Sequence, residues 1–395
     1  MSPVRDVVIA GGGIAAAATA IRLRNLGFGV RLLVRNGTGT GGIEALPARA
    51  LGLLDVIGEP EVVAEAGGVE VAGPGHDMVH VDRRALARAL VDRAAARGAA
   101  LETIKRLPPA AELAPPAAAV VDATGRAAAW SRPLITDGHD MAWQFEGPPL
   151  PDLALRVVRG TGWWAYRLGI PSTTWAGVVV SGADGAPAAA DEGLRRLGLD
   201  PAVMASRGRR AARVQRAVRP VVGRRIAVGD AALAHDPIAG GGIRFALASA
   251  VAAAAAIATW VDDAGRHGLA ATYYDELVAG EHSRHLEARR AIRSGDREAT
   301  LVEPEPVPEV VRFVAPLVET SLVIDGVVRS GPAVRLPDGT LTRWLGSFDL
   351  LVLARLAADP VPRIVLLARL QQEGLDVPAA RAVLSWAVRH DLLTG

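Results

Sequence analysis

Residues 7–20, VVIAGGGIAAAATA, constrain the fold of this chain more than any other stretch. Apolar residues lead directly into three glycines and then an alanine-rich segment, the pattern of a buried parallel strand that turns tightly into a helix. We expect Gly11 to permit the turn, Gly13 to let the backbone approach a pyrophosphate, and Ala16 to be small where helix packs on strand. Because a helix N-terminus presents free N–H groups to an anion, the stretch predicts a dinucleotide site.

The composition is that of a globular protein and argues against nucleic acid and thiolate-bound metals as partners. The chain has 395 residues, of which 50% are hydrophobic, and this length is enough for two or three domains. The 44 basic residues barely exceed the 42 acidic ones, so we expect no nucleic-acid partner. The chain has no cysteine, which excludes disulfides and thiolate metal sites and suits a reducing cytoplasm. We expect a cytoplasmic protein without a bound metal.

Two hydrophobic segments bear on membrane association. The N-terminus lacks the charged and then apolar pattern of a secretory signal, and its hydrophobic run belongs to the predicted first strand. The alanine-rich run at residues 245–260 is shorter than the ~20 residues that span a bilayer. This run therefore predicts a buried helix, and we expect no membrane partner.

The second strand, predicted over residues 30–34, departs from the dinucleotide pattern at its end. An acidic residue normally closes this strand and holds the ribose hydroxyls, but this chain has Val34 and then Arg35. Arg35 is a candidate cofactor contact because an arginine can meet a 2′-phosphate. Two alternatives remain open: backbone and water hold the ribose, or the site has lost affinity for the cofactor.

The next hundred residues continue an α/β pattern. Residues 44–57 predict a helix that opens on EALP, and residues 79–98 predict a strand followed by a long amphipathic helix. Residues 99–125 predict strands around a proline-rich excursion and close on AVVDATGR. Asp122 and Gly125, at the end of that last strand, place another backbone turn near the nucleotide.

Residues 130–182 predict an antiparallel sheet, because short alternating segments rich in Trp, Val and Thr follow one another there. Aromatic residues are concentrated in this sheet. We interpret Trp143, Trp163, Trp164 and Tyr166 as contacts that line a substrate pocket. The alternative is that the tryptophans pack the sheet against its neighbour.

A second glycine-lined element follows a helix predicted over residues 191–212. An apolar strand runs into GDAALAHDPIAGGGI at residues 229–243, so backbone amides and one carboxylate converge on a ligand at a helix start. His235 lies within this element, and a histidine can assist the deprotonation of a phenol or an indole. The alternative is a histidine that is hydrogen-bonded and structural.

Three motifs in this order, GGGIAA, DATGR and GDAALAHDPIAGGGI, resemble those of the FAD-dependent monooxygenase and tryptophan-halogenase superfamily over roughly residues 4–290. The resemblance implies that Asp230 hydrogen-bonds the ribityl chain of FAD and that Pro237 lies beside the reactive edge of the flavin. It also implies that residues 240–243 donate backbone N–H groups to the pyrimidine end, and Arg83 in VHVDRRAL matches an arginine that approaches the flavin. The predicted cofactor-binding residues are Gly11, Gly13, Ala16, Arg35, Glu44, Arg83, Asp122, Gly125, Gly229, Asp230, Gly240, Gly241, Gly242 and Ile243, and the predicted catalytic residues are His235 and Pro237.

Further segments resemble a narrower branch of this superfamily. EALP at residue 44, GWWAYRLGIP at residue 162 and VVVSGAD at residue 178 are similar to the flavoprotein maturases of tryptophylquinone enzymes and to related peptidyl-aromatic hydroxylases. Halogenases carry a pocket lysine, whereas the single lysine here, Lys105, lies in a proline-flanked strand outside that position. Their Trp-x-Trp-x-Ile-Pro run is also broken, so halogenation is disfavoured.

The C-terminal residues 320–395 follow a stiff linker, EPEPVP, at residues 303–308. They begin with strand-like segments and a hairpin signal, PDGT, at residues 337–340, and continue with three short amphipathic helices, the last with Asp376 as N-cap. This module resembles small winged-helix domains that hold leader peptides, which implies a peptide or carrier partner. A plain packing domain or a dimer contact is the alternative.

Together the patterns predict an α/β fold. A Rossmann-type FAD domain comprises residues 1–130 and 215–300, an antiparallel substrate domain is inserted at residues 131–214, and residues 320–395 form a helical, winged-helix-like module. The predicted function is a flavin-dependent monooxygenase that hydroxylates an electron-rich aromatic, an indole or phenol, free or bound to a peptide or carrier. NADH, NADPH or a separate flavin reductase is the expected electron donor. A dehydrogenase or halogenase on the same scaffold and a non-catalytic partner-binding protein with a decayed FAD site are the alternatives.

Overall fold

The computed structural model describes residues 5–35, 41–71, 78–113, 117–181, 186–237, 241–294, 307–346 and 348–395. The chain forms two compact units, Met1–Glu298 and Ala299–Gly395.

The first half of the first unit contains β1 (Asp6–Ala10), α1 (Ile14–Asn25), β2 (Gly29–Arg35), β3 (Ile43–Pro47), α2 (Ala48–Ile57), α3 (Val62–Glu65), β4 (Val69–Val71), β5 (Met78–Asp82), α4 (Arg83–Ala96), β6 (Ala100–Ile104), α5 (Ala110–Leu113), β7 (Ala119–Asp122), β8 (Leu134–Asp137) and β9 (Met141–Gly147). The second half contains β10 (Arg156–Gly160), β11 (Trp163–Ile170), β12 (Thr173–Val180), α6 (Ala186–Arg196), β13 (Ala205–Ala211), β14 (Val214–Ala217), β15 (Val221–Val222), β16 (Arg225–Ala227), β17 (Leu233–Ala234), α7 (Gly242–Asp262) and α8 (His267–Ser294).

A six-stranded sheet in the order β15, β16, β7, β1, β2, β6 forms the centre of the first unit, and its strands from β16 to β6 are parallel. Strand β1 is central, and four of its five residues are buried, as expected for a strand covered on both faces. Strands β2 and β6 lie on one side of β1, and the later strands β7 and β16 lie on its other side. The strand order therefore reverses at β1, and ligands of such sheets bind outside the carboxyl ends of the strands at that reversal.

Three strands of this sheet end at the same level. Ala10 of β1 pairs with Asp122 of β7, and Asp122 pairs with Ala227 of β16. The predicted parallel strand at residues 30–34 is confirmed as β2, which pairs with β1 on its other side. The turns that follow β1, β7 and β16 consequently start side by side, although they are far apart in the sequence.

An antiparallel sheet has the order β10, β11, β12, β9, β13. Strands β9 to β12 lie within residues 130–182, the stretch predicted as antiparallel, whereas β13 lies outside it. Its strands present alternate residues to opposite faces. One face is covered by α6, which contributes Leu194 and Leu197 to a buried cluster with Trp163 and Val178. Two further three-stranded antiparallel sheets, of β3, β5, β4 and of β17, β14, β8, adjoin these layers.

Two predicted helices are partly wrong. Residues 44–47 belong to β3, which pairs with β5, and helix α2 begins only at Ala48. Helix α6 ends at Arg196, and residues 205–211 form β13 on the edge of the antiparallel sheet instead of continuing the helix. Gly198 has a φ of +77°, which ends the helical stretch. In both cases pairing with a strand distant in the sequence prevails over local helix propensity.

Helix α7 is, among the described residues, long and apolar enough to cross a membrane by length and composition. Within the first unit, 78% of its most apolar window is buried. It packs against α1, α2 and α8, so the prediction of a buried helix at residues 245–260 is confirmed.

The second unit has its own core. It contains β18 (Val310–Phe313), β19 (Leu317–Ile324), β20 (Val327–Arg335), β21 (Leu341–Thr342), β22 (Trp344–Leu345), β23 (Phe348–Asp349), α9 (Leu350–Leu356), β24 (Val361–Pro362), α10 (Arg363–Gln372), α11 (Val377–Arg389) and β25 (Leu393–Thr394). The predicted hairpin at residues 337–340 joins β20 to β21, and Asp376 caps α11 by accepting the N–H of Ala379. Strand β18 lies between β24 and β25, so helices α9 to α11 alternate with a small sheet, as in the predicted winged-helix-like module.

Candidate active site

The turn between β1 and α1 forms an open cradle. Gly11 has a φ of +137°, and a Cβ there would lie 2.2 Å from the carbonyl oxygen of Ala123, so only glycine fits. A Cβ on Gly13 would meet nothing within 4 Å. Gly13 is the N-cap of α1, without a side-chain cap and without an acidic residue in the first turn, so the N–H groups of the helix start are available to an anion.

The second glycine-lined element packs directly on this helix. A Cβ on Gly229, whose φ is +56°, would lie 2.7 Å from Cβ of Ala15 and 3.8 Å from Cβ of Ala246. The early turns of α1 and α7 therefore meet at Gly229. Helix α7 also begins without a side-chain cap, at Gly241, and without an acidic residue in its first turn. Two helix starts more than two hundred residues apart in sequence thus lie side by side, and neither has a side-chain cap among the described residues.

A cavity of about 720 Å³ extends from the turns after β7 and β16 and the start of α7 to the antiparallel sheet. Gly11, Gly13 and Gly229 are not among the residues that line it. The predicted site residues that line it are Glu44, Arg83, Gly125, Trp164, Tyr166, Asp230, His235, Pro237, Gly241, Gly242 and Ile243. Ala16 is fully buried in α1 beside the cradle. Gly240 lies outside the described residues. Of the described residues, no group of three or more His, Cys, Asp or Glu is placed to hold a metal ion.

Asp122 shapes the middle turn. Its carboxylate accepts hydrogen bonds from the backbone and hydroxyl of Thr124 and from the N–H of Trp130, at 2.6 to 3.1 Å. The hydrogen-bond partners of this buried carboxylate are thus groups of the protein itself. Asp122 therefore holds Gly125, which has a φ of +66° and open space beside its Cα, at the edge of the cavity.

Arg35 lies at the exposed end of β2 and is absent from the residues that line the cavity. Val34 before it lies over the cradle, because a Cβ on Gly12 would be 2.7 Å from Cγ1 of Val34. Residues 36–40, where the loop continues, lie outside the described residues. The proposed contact of Arg35 with the adenosine end stays a prediction.

Charged side chains line one wall of the cavity. Arg83, at the start of α4, donates to Oε1 of Glu44 at 3.1 Å. Burial lowers the pKa of Arg83, but Glu44 and Asp230 outweigh this effect and raise it above its ordinary value. Arg83 is thus paired with Glu44 and is also attracted by the carboxylate of Asp230.

Arg126 is a site residue that the sequence analysis did not single out, although it belongs to the DATGR motif. Its guanidinium lies 4.0 Å from the carboxylate of Asp230 and donates to the carbonyl of His235 at 2.5 Å. Burial is the main cause that lowers the pKa of Arg126. Arg126 links the middle turn to the second glycine-lined element.

Trp164 and Tyr166 form the aromatic wall of the cavity. Their rings stack with centroids 5.5 Å apart and an interplanar angle of 29°. The ring of Tyr166 covers Gly177, where a Cβ would be 2.4 Å from Cε1. Indole Nε1 of Trp164 and Oε1 of Gln144 are buried without a hydrogen-bond partner in the described part of the chain. Burial raises the pKa of Tyr166, so its hydroxyl stays protonated.

The structure does not place Trp143 and Trp163 in the cavity. Trp163 belongs to the buried cluster under α6, and Trp143 packs against the same cluster. Because residues alternate between faces along a strand, Trp163 points away from the face that carries Trp164. The predicted substrate wall is therefore wrong for Trp143 and Trp163, which pack the sheet as the alternative interpretation holds.

His235 lies at the floor of the cavity with its side chain 3% exposed. Its ring makes edge contacts with Phe245 and His285, at centroid distances of 5.2 and 4.5 Å. Its Nε2 lies 3.4 Å from Oε1 of Glu281 on α8. Glu281 carries no sequence motif and was not predicted. Pro237 lines the cavity two residues farther along the chain.

Solved structures of the same fold provide an independent comparison. The peptidyl tryptophan dihydroxylase QhpG, essential for tryptophylquinone cofactor biogenesis, is 21% identical over 99% of this chain and 100% of its own, with a TM-score of 0.65. The flavin-dependent halogenase CmlS is 15% identical over 99% of this chain and 96% of its own, with a TM-score of 0.66. PqsL of P. aeruginosa, solved with 2-aminobenzoylacetate, is 17% identical over 71% of this chain and 94% of its own, with a TM-score of 0.58.

No family model and no curated protein sequence matches the chain. At the identities found, the likeness establishes the fold. The chain shares its fold with these flavin-dependent enzymes, so the predicted fold class is confirmed, and the predicted resemblance is confirmed at the level of the fold.

Proposed function

We propose that this protein is a flavin-dependent monooxygenase that hydroxylates an electron-rich aromatic ring. One observation carries the proposal: two uncapped glycine-lined helix starts meet at Gly229 on the reversal of a parallel sheet, beside a cavity with an aromatic wall and a histidine. Flavin-dependent enzymes of the same fold support it, among them the hydroxylase QhpG and several halogenases.

The residues at the two helix starts fit a flavin nucleotide. A Cβ on Gly13 or Gly242 would meet nothing within 4 Å, so there is space for a ligand beside the start of α1 and beside the start of α7. Gly13 and α1 would hold the pyrophosphate, Asp230 the ribityl chain, and residues 241–243 the pyrimidine end. Arg83 adds positive charge near the flavin. Bound FAD supplies the redox and oxygen chemistry that the chain's own side chains lack.

The chain's contribution is to place the aromatic ring and to exclude water. Trp164 and Tyr166 present stacked rings, against which an indole or phenol packs with a gain of about 0.5 to 1.5 kcal/mol beyond burial. Nε1 of Trp164, a donor, and Oε1 of Gln144, an acceptor, are buried without a hydrogen-bond partner in the described part of the chain. His235 borders the cavity, but both of its ring nitrogens are buried without a hydrogen-bond partner in the described part of the chain, so its role as proton acceptor stays a prediction.

The cavity disfavours the halogenase alternative. Halogenases of this superfamily resemble the chain in fold but carry a pocket lysine, and Lys105 is the single lysine here. Lys105 is exposed directly after β6 and does not line the cavity. We therefore propose hydroxylation, with electrons from NADH, NADPH or a separate flavin reductase, and a peptide or carrier as partner of the second unit.

Cofactor binding is tested first. The protein purified from cells should be yellow, or should take up added FAD with quenching of flavin fluorescence. Gly13→Val should weaken FAD binding by about tenfold or more, because its side chain would occupy the open cradle. Gly52→Val is the matched control: Gly52 is exposed on α2 with nothing within 4 Å of its Cβ position. A protein that stays colourless with excess FAD contradicts the proposal and favours a decayed site.

The reaction is tested by product mass. The flavin-loaded protein is incubated with oxygen, a reductant and a panel of indoles, phenols and tryptophan-containing peptides. A gain of one oxygen atom supports hydroxylation, a loss of two hydrogens identifies a dehydrogenase, and a gain of chlorine in the presence of chloride identifies a halogenase. Oxidation of free aromatics without any oxidation of the peptides would contradict the peptide-bound substrate.

A further inference from the structure

Arg210 lines the cavity and lies on the face of the antiparallel sheet that carries the aromatic wall. It belongs to β13 and pairs with Ala142 of β9. Ala142 pairs with Val179 of β12, and Val179 pairs with Trp164 of β11. Because directly paired residues point to the same face, these side chains form one row across the sheet. With strands about 4.8 Å apart, the Cα atoms of Arg210 and Trp164 are about 14 Å from each other.

The row leaves room for a ligand between the arginine and the aromatic wall. Ala142 and Ala212 line the cavity beside Arg210, and their side chains are single methyl groups. The ring of Tyr166 extends from β11 over Gly177 of the neighbouring strand β12. A ligand ring that packs on the aromatic wall can therefore place a short substituent near the guanidinium of Arg210.

Arg210 has no carboxylate within 4.0 Å in the part of the chain that the structure describes. The carboxylates that line the cavity each have an arginine at that distance or closer. The pairs are Glu44 with Arg83, Asp230 with Arg126, and Asp236 with Arg289. Glu44 attracts Arg210 from farther away, but Arg83 repels it more strongly. The lining thus contains one guanidinium that an anionic ligand can neutralise.

The surroundings of Arg210 favour an anion over a neutral group. Arg210 is half-buried, so water balances its charge only in part. Burial lowers the pKa of Arg210, and the nearby charge of Arg83 lowers it further. An arginine nevertheless stays protonated at neutral pH, because its ordinary pKa is above about 12. A carboxylate can accept two parallel N–H bonds from the planar guanidinium, a geometry that an uncharged amide does not match.

We propose that Arg210 binds a carboxylate of the aromatic substrate, so that the cavity selects rings that carry an acid group on a short arm. The ring packs on Trp164 and Tyr166, and the carboxylate reaches along the row to Arg210. This carboxylate belongs either to a free aromatic acid or to an acidic residue next to the aromatic residue of a peptide. The inference rests on the proposed function and names the substrate class of the same cavity.

Selectivity is tested by isothermal titration calorimetry of the full-length protein with indole-3-propionate and its neutral amide. Wild type should bind the acid roughly tenfold to a hundredfold more tightly than the amide, and Arg210→Gln should abolish this difference. Arg210→Lys keeps the charge but loses the planar fork, so its preference should be intermediate. Arg209→Gln is the matched control, because Arg209 is exposed and pairs with Trp143 on the opposite face.

Three results would overturn the proposal: no binding of the acid, equal binding of acid and amide by wild type, or a preference that persists in Arg210→Gln. If Arg210→Gln does not fold, the wild-type comparison and Arg210→Lys still decide. Peptides blocked at both ends, with Glu or Gln next to tryptophan, identify the source of the carboxylate. A preference for Glu that depends on Arg210 indicates a peptide substrate, whereas selectivity for the free acid alone indicates a free aromatic acid.

Turnover supplies the second readout. Arg210→Gln should raise KM for the preferred acid by roughly tenfold to a hundredfold, with kcat and FAD affinity nearly unchanged, because binding is lost equally in the ground state and the transition state. A weakened FAD affinity would mean that Arg210 holds the cofactor and would overturn the proposal. A protein that binds no FAD would refute the proposed function, while calorimetry still decides whether the cavity selects a carboxylate.

Discussion

The cradle at the parallel sheet and the wall on the antiparallel sheet are built by different means. The cradle consists of backbone N–H groups. Gly11 and Gly13 contribute to it because they have no side chain: Gly11 fits against the carbonyl of Ala123, and Gly13 leaves open space. The wall consists of side chains, and one residue along the strand separates Trp164 in the cavity from Trp163 in the core. Changes that add atoms should damage the cradle, whereas changes that remove atoms should damage the wall.

The largest effect is expected at the two adjacent tryptophans. Trp163→Ala should lower the free energy of unfolding by about 3 to 5 kcal/mol, because it empties a site packed under α6. Trp164→Ala should destabilise less, since its ring borders the cavity, but should weaken binding of aromatic substrates. Urea unfolding and substrate titration measure the two effects. Equal loss of stability with unchanged substrate affinity in both variants would contradict the assignment of the faces.

The pH dependence of stability distinguishes the cavity floor from the cradle. The floor contains titratable side chains, whereas the backbone amides of the cradle do not titrate. The lowered pKa values of Glu281, about 2, and His285, about 3, mean that the unfolded chain binds more protons as the pH falls. Stability should therefore decrease from about pH 6.5 downward for His285 and from about pH 4.5 for Glu281, with roughly 3 kcal/mol lost through Glu281. Glu281→Gln should remove its part of this dependence in unfolding curves, and an unchanged acid slope would contradict it.

The cradle itself is probed by comparing two neighbouring glycines. Gly11→Ala should cost about 2 kcal/mol or more, because its Cβ would meet the carbonyl of Ala123 at a strained positive φ. Gly13→Ala should leave stability unchanged, since its φ of −97° suits any residue and its Cβ meets open space. Thermal unfolding in the absence of FAD measures both, and equal destabilisation would show that the two glycines are not different in role.

The smallest effect is expected at the hydroxyl of Tyr166. Tyr166→Phe keeps the ring over Gly177 and the stacking with Trp164, and removes only a buried hydroxyl. Stability should change by about 1 kcal/mol or less, with FAD affinity unchanged. A tenfold loss of FAD affinity in fluorescence titration would mean that the wall also holds the cofactor.

The sequence predictions are correct where a structure depends on residues close together in the sequence, and wrong where it depends on residues far apart. The cradle, the buried helix α7 and the cap at Asp376 depend on neighbouring residues, and these predictions are confirmed. The helices predicted at residues 44–47 and 205–211 are wrong because these segments pair with distant strands, β5 and β9. Such pairings leave no local signal.

The amino-acid sequence by itself determined the strand, turn and helix at residues 7–20 and the matching element at Gly229, because glycine requirements and apolar periodicity are local. Only the tertiary structure decided which face of β11 packs under α6 and which faces the cavity, because alternation defines two faces but not their partners. It also brought Glu281 to His235. Helix α8, which packs against α7, carries Glu281 to His235 in the segment after β17, and no shared motif links the two residues.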